Sequence, residues 1–139
     1  MVMKCILTLT LMTIASGLFS QNLTPEQLAQ AQLDGYNNRD IDAFLAPYSE
    51  TIKIYNFPAE LTTKGKEAMR KGYSNMFDNL PDLHCTLINR MVSGNTVIDH
   101  ESVVFRKDQP AMEVFAMYKI SGGKIVEVYF IRPEEYQPE

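Results

Sequence analysis

The sequence predicts one α+β domain in which helices come first and an antiparallel sheet follows. Three observations carry this. The chain is 139 residues long and 45% hydrophobic, which suits one compact unit. Its first half places apolar residues at helical spacing. Its second half alternates apolar and polar residues in four runs separated by short turn signals. Seven Gly and seven Pro exclude collagen-like and low-complexity chains. The 13 basic and 17 acidic side chains leave a net charge of −4. No basic cluster interrupts that balance, so nucleic acid is not an expected partner.

The chain opens on a short basic start, Met1 to Lys4, followed by Cys5 to Ile14, an unbroken run of apolar residues and Thr. This run has the length of a signal-peptide core and is too short to span a bilayer comfortably. Ala15, Ser16, Gly17 and Ser20 offer cleavage after Gly17 or after Ser20, and polar Gln21-Asn22 follow. Residues 1–21 are therefore expected to be a cleaved secretory signal peptide. Residues 22–139 are the expected mature domain, periplasmic or secreted, with no membrane attachment after cleavage. Loss of Lys4 takes the balance to −5, and loss of Cys5 leaves Cys85 as the sole thiol. An intramolecular disulfide is then excluded, and Cys85, with no Cys/His cluster near it, reads as buried packing.

Thr24-Pro25-Glu26-Gln27 starts a helix, with Thr24 as cap, Pro25 in the first turn and Gln27 placed to close a capping box. Leu28, Ala31, Leu33 and Tyr36 keep helical spacing until Asn37-Asn38. Asp40 caps a second, shorter helix bearing Ile41, Phe44 and Leu45, which Pro47 ends. Thr51 to Asn56 reads as a strand rich in β-branched residues, and Pro58 to Lys64 as a loop. Gly65 opens a third helix, Lys66 to about Asn79, with Met69, Tyr73, Met76, Phe77 and Leu80 on its apolar face and Pro81 beyond it. Four strands follow: Leu83 to Val92, Thr96 to Arg106, Met112 to Ile120, and Lys124 to Arg132. Ser93-Gly94-Asn95 and Ser121-Gly122-Gly123 suit tight hairpins, so these strands form a meander.

Alternation assigns faces. Met112, Val114, Ala116, Tyr118 and Ile120 are expected to face the helices. Glu113, Phe115, Met117 and Lys119 then face outward. Two large apolar groups on that outer face predict a cover, most simply a second copy of the chain, so a homodimer is expected. The same reasoning, which sends charges outward, places Asp99, Glu101, Val103 and Phe105 outside, with Ile98, His100, Ser102 and Val104 inside.

The order of these pieces resembles the SnoaL-like branch of the nuclear transport factor 2-like superfamily. The resemblance rests on Asn38-Arg39-Asp40-Ile41-Asp42-Ala43-Phe44 in the second helix, Gly65-Lys66-Glu67 at the third, and Tyr118-Lys119-Ile120-Ser121-Gly122-Gly123-Lys124-Ile125 in the final hairpin. It covers essentially the whole mature chain. It implies a cone-shaped α+β barrel, three helices on a curved antiparallel sheet, and a deep apolar cavity. It also implies dimers through the outer sheet face. That superfamily contains ketosteroid isomerase, polyketide cyclases, limonene epoxide hydrolase, scytalone dehydratase and non-catalytic binding modules, so fold alone does not fix function. The isomerase pattern puts its base at or beside Asn56, its Tyr near Gln32 and its acid at Ala116. None of the three is kept, and an amide does not abstract a carbon-bound proton near neutral pH.

Scattered polar residues remain as candidates for the cavity. His100 is the candidate proton-transfer residue, since an imidazole titrates near neutrality and Ser102 beside it would hold its tautomer. Asn56 either orients a ligand carbonyl or satisfies the turn into Phe57-Pro58. Tyr118 and Arg132 share the inward parity of their strands. Arg132 either pairs with a ligand carboxylate or lies at the rim beside Glu134 and Glu135. Asp99-His100-Glu101 does not read as a metal site, because neighbouring strand residues point to opposite faces. No phosphate-cradling loop or nucleophile elbow is present, and no cofactor is expected. Two functions follow. One is an exported domain that binds a small, mostly apolar ligand. The other is a cofactor-independent isomerase, cyclase or dehydratase using His100.

Overall fold

The computed structural model describes residues 22–133, so the expected leader, 1–21, and the acidic tail from Glu134 lie outside the described residues. Helix α1 (Pro25–Asn37) starts as its sequence requires. Thr24 Oγ1 accepts from the Gln27 backbone N at 3.2 Å, and Gln27 Oε1 accepts from the Thr24 N at 2.9 Å. Two otherwise unpaired donors are thereby satisfied. Helix α2 (Ile41–Leu45) is capped by Asp40, whose Oδ1 accepts from the backbone N of Asp42 and Ala43 at 3.1 and 3.0 Å.

The α1–α2 corner is tight at one glycine. A Cβ on Gly35 would meet the Phe44 backbone and stand 2.8 Å from the Ala43 carbonyl carbon, all of it immobile main chain. Gly35→Ala is therefore expected to destabilise the domain by about 1–3 kcal/mol, as overpacking does. A denaturation midpoint unchanged from the native protein would show that the two helices can separate without loss.

Strand β1 (Tyr48–Asn56) and strand β2 (Glu60–Lys64) form a hairpin that pairs Asn56 with Glu60. This corrects two expectations: residues 58–64 are not merely a loop, and β1 begins earlier than Thr51. Helix α3 (Lys66–Asn79) follows, then β3 (His84–Ser93), β4 (Thr96–Val104), β5 (Met112–Ser121) and β6 (Lys124–Ile131). The sheet order is β2-β1-β6-β5-β4-β3. Every neighbouring pair is antiparallel except β1 with β6, which run parallel, so the sheet is mostly rather than wholly antiparallel. Gly122 and Gly123, at φ 57° and 71°, supply the left-handed pair that a two-residue hairpin needs between β5 and β6.

The helices close one face of this sheet. Tyr36, Phe44, Tyr48, Tyr73 and Phe77 pack ring on ring, with Phe44 and Tyr73 at 4.6 Å between centroids. Asn37 ties α1 to the edge strand, since its side chain accepts from the Cys85 N at 2.8 Å and donates to the Cys85 O at 2.9 Å. Arg39, at φ 52°, reaches the Pro81 carbonyl at 2.6 Å, which fixes the segment leading into β3.

On β5 the expected alternation holds: Val114, Ala116, Tyr118 and Ile120 are buried. On β4 it is inverted. Val97, Asp99, Glu101 and Val103 are buried against the helices, and Ile98, His100, Ser102 and Val104 lie on the other face. Register explains the inversion, because Asp99 lies opposite Ala116 and Glu101 opposite Val114, and directly opposed residues share a face. The expectation failed because it sent both carboxylates to water, whereas each has a buried partner.

Candidate functional site

Between the helices and the sheet lies a cavity of about 150 Å³. Cavities of that volume in apolar cores admit a benzene-sized molecule. Tyr36 from α1 and Tyr73 and Met76 from α3 form one wall. Cys85, Glu101, Val103, Met112, Val114, Tyr118 and Phe130 from the sheet form the other, and exposed Arg132, just past β6, lines it where it meets solvent. The surface is therefore aromatic and aliphatic, with one buried carboxyl, several hydroxyls and a guanidinium at the mouth.

Glu101 is the chemically distinctive member. It is 5% exposed, and Tyr118 Oη donates to its Oε1 at 3.1 Å. Burial in low dielectric lifts its proton affinity most, and the nearby Asp99 charge lifts it further. Hydrogen bonds from Tyr118 and the Cys85 thiol, together with the Arg90 charge, pull the other way, and the balance puts the carboxyl at about 7. A carboxyl poised there gives up and takes back a proton near neutral pH, which suits general acid–base work. Burial also pushes the Tyr36 hydroxyl and the Cys85 thiol well up, and Tyr73 to about 12, so these groups stay protonated and serve as hydrogen-bond donors.

Asp99 is fully buried and does not line the cavity. Arg90 clasps it with two bonds, Nε to Oδ1 at 2.7 Å and Nη2 to Oδ2 at 2.8 Å, while Arg90 Nη1 donates to Gln30 Oε1 at 2.9 Å. This fork geometry satisfies both carboxylate oxygens and makes burial of the pair tolerable.

The residues expected from sequence divide into two groups. Tyr118 and Arg132 do line the cavity. His100 does not. It sits on the outer sheet face, stacked on Phe115 with centroids 4.6 Å apart, and its Nε2 lies 3.1 Å from Glu113 Oε2. Ser102 shares that outer face, paired with Glu113 across the strands. The inward placement of both is thus corrected, for the register reason given above. Asn56 donates to Glu60 Oε2 at 2.9 Å across the β1–β2 hairpin, away from the cavity. Cys85 is buried, as expected, and its thiol faces Glu101.

Gln32 and Ala116, the positions laid against the isomerase pattern, are both buried. Gln32 bridges Tyr48 and Tyr118, and Ala116 lies opposite Asp99. The residue that the alternation missed is Glu101. Its signal was present in the tight Gly94-Asn95 turn, which counts back to put Arg90 opposite Asp99, an opposite-charge pair able to turn inward together.

A model of the SnoaL-like domain matches residues 29–128. No curated protein matches the sequence. Among solved structures, an uncharacterised cystatin-fold protein from Novosphingobium aromaticivorans is 25% identical with a TM-score of 0.73, covering 79% of this chain and 99% of its own. A SnoaL-like protein of unknown function from Burkholderia thailandensis is 17% identical with a TM-score of 0.68, covering 79% and 94%. A LEH-like epoxide hydrolase from M. tuberculosis is 12% identical with a TM-score of 0.65, covering 78% and 82%.

Proposed function

The chain belongs to the SnoaL-like domain family, and from that premise we propose that its cone cavity takes up a small, mostly apolar molecule with one polar end directed at Glu101. The observation that carries this reading is the aromatic-walled cavity of about 150 Å³ holding a single buried carboxyl. Apolar walls supply affinity without direction, and a few placed polar groups supply orientation. Glu101 and Tyr118 meet the polar end, and Arg132 at the mouth accepts an anionic substituent if the ligand carries one.

A second reading goes further, to cofactor-independent proton transfer of the isomerase, cyclase or dehydratase kind. Glu101, near neutrality and facing the cavity, favours it, and takes the part first given to His100. The ionised carboxylate removes a proton next to a ligand carbonyl. The Tyr73 hydroxyl, and that of Tyr36 on turning from its long contact with Met76 Sδ at 3.9 Å, are the donors available to the oxygen that gains charge, since the Tyr118 proton is already given to Glu101. Exchange of α-protons for deuterium in cyclohexanone, followed by NMR in D2O, tests this directly. Glu101→Gln is expected to slow protein-catalysed exchange by about 10²–10⁴-fold, the usual worth of a positioned base. Equal exchange by both proteins rules out Glu101 as the base, and cyclohexanone that binds without exchanging leaves the binding module.

Export and pairing belong to the same proposal. The apolar leader supports delivery out of the cytoplasm. Phe115 beside Ile131 and Met117 beside Tyr129 on the outer sheet face support contact with a second copy. Native mass spectrometry of the exported protein reads all three features together: a mass lacking about the first 20 residues, two chains, and one small molecule per chain. A single full-length chain with nothing bound contradicts each.

A further inference from the structure

Four buried side chains from four different elements make one directed line of hydrogen bonds that ends on the cavity. Tyr48 Oη on β1 donates to Gln32 Oε1 on α1 at 3.1 Å. Gln32 Nε2 donates to Tyr118 Oη on β5 at 3.0 Å, and Tyr118 Oη donates to Glu101 Oε1 on β4 at 3.1 Å. All four are buried, yet only Tyr118 and Glu101 line the cavity. A primary amide in an apolar core is costly unless its oxygen and nitrogen are both used. Gln32 uses one on each tyrosine, so every bond points the same way.

Donors in series polarise one another, and in a low-dielectric interior the last of them becomes the stronger for those behind it. We propose that Gln32 and Tyr48 are positioning residues that tune Glu101 from outside the cavity. They sharpen the Tyr118 donor and hold Glu101 by Oε1 at the cavity wall, where the carboxyl exchanges its proton with a ligand. This inference rests on the reading of Glu101 as the proton-exchanging group. The other groups facing Glu101 are Asp99 on its own strand, Arg90 and the Cys85 thiol on β3, Tyr36 on α1 and Tyr73 on α3. Tyr48→Phe leaves each of these in place and removes one oxygen atom at the far end of the line.

The test is a carboxyl-carbon NMR titration of Glu101 in the ligand-free protein, with the Glu101 signal assigned by its loss in Glu101→Gln. Tyr118→Phe is expected to raise the proton affinity of Glu101 by about tenfold or more, the worth of a hydrogen bond to a charged group. Tyr48→Phe is expected to raise it about twofold, the share that a polarising neighbour adds. Gln32→Leu, which removes both links, should fall between. Midpoints in Tyr48→Phe and Gln32→Leu that coincide with the native value, while Tyr118→Phe moves, overturn the proposal. If Gln32→Leu does not fold, Tyr48→Phe decides alone. Because no ligand is present, a moved midpoint beside silent deuterium exchange sinks only the catalytic reading, and the reverse result sinks only the line.

Discussion

Arg90→Met is expected to remove about 3–5 kcal/mol of stability, the cost of leaving one member of a buried ion pair without its partner. The side chain of Asp99 is fully buried and that of Arg90 is 9% exposed, so neither charge has water to fall back on. Both carboxylate oxygens of Asp99 lose a short bond at once. A domain of this size holds only about 5–15 kcal/mol in total, so the variant should melt roughly 10–20 °C lower or fail to fold. The double variant Arg90→Met with Asp99→Leu should recover most of the loss, because it removes the stranded charge as well as the partner. Urea denaturation of the native protein and these two variants is the check. A double variant no better than the single would show that the clasp acts through more than charge satisfaction.

The second large effect is a pH dependence of stability carried by Glu101. Its carboxyl lies at about 7 in the folded chain against an ordinary 4.5. Between those values the folded state holds a proton that the unfolded chain has released. The contribution is therefore full below about pH 4.5 and is lost as pH rises through 7. Its size is about 3 kcal/mol, from the linkage of proton affinity to folding. Glu101→Gln keeps the shape and carries no charge, so it should lose none of this between pH 4.5 and 8 and should be the more stable protein at the upper end. Parallel stability curves for the two proteins over that range would mean that Glu101 is solvated in the folded state. The variant that stabilises the domain is also the one expected to stop proton exchange. Such opposition between stability and activity is common where a site keeps a strained or poorly solvated group for its chemistry.

What the sequence could determine was whatever depends on neighbours along the chain. The Thr24 capping box, the Asp40 cap, the Pro81 stop and the Gly122-Gly123 hairpin are contacts among residues only a few positions apart, and each is where the local pattern put it. The order of those elements was enough to indicate the family. It also placed Tyr118 and Arg132 at the cavity, because β5 alternates throughout and β6, past a register shift between Ile125 and Glu127, keeps one parity from Val128 through Phe130 to Arg132.

What only the tertiary structure decided was which face each side of β4 occupies. Alternation leaves two choices a single residue apart, and the preference of charge for water chose the wrong one. Arg90 on β3, Tyr118 on β5 and Gln32 on α1 reverse that preference by giving Asp99 and Glu101 buried partners. Gln32 itself shows why this was not legible along the chain, since it lies 86 positions from Tyr118 and 16 from Tyr48 and gains its role only where they converge. Burial cost is a property of the final surroundings of a group and not of its identity. The carboxylate that local reasoning sends to solvent is therefore the one that the assembled core holds, desolvated and nearly neutral, at the cavity wall.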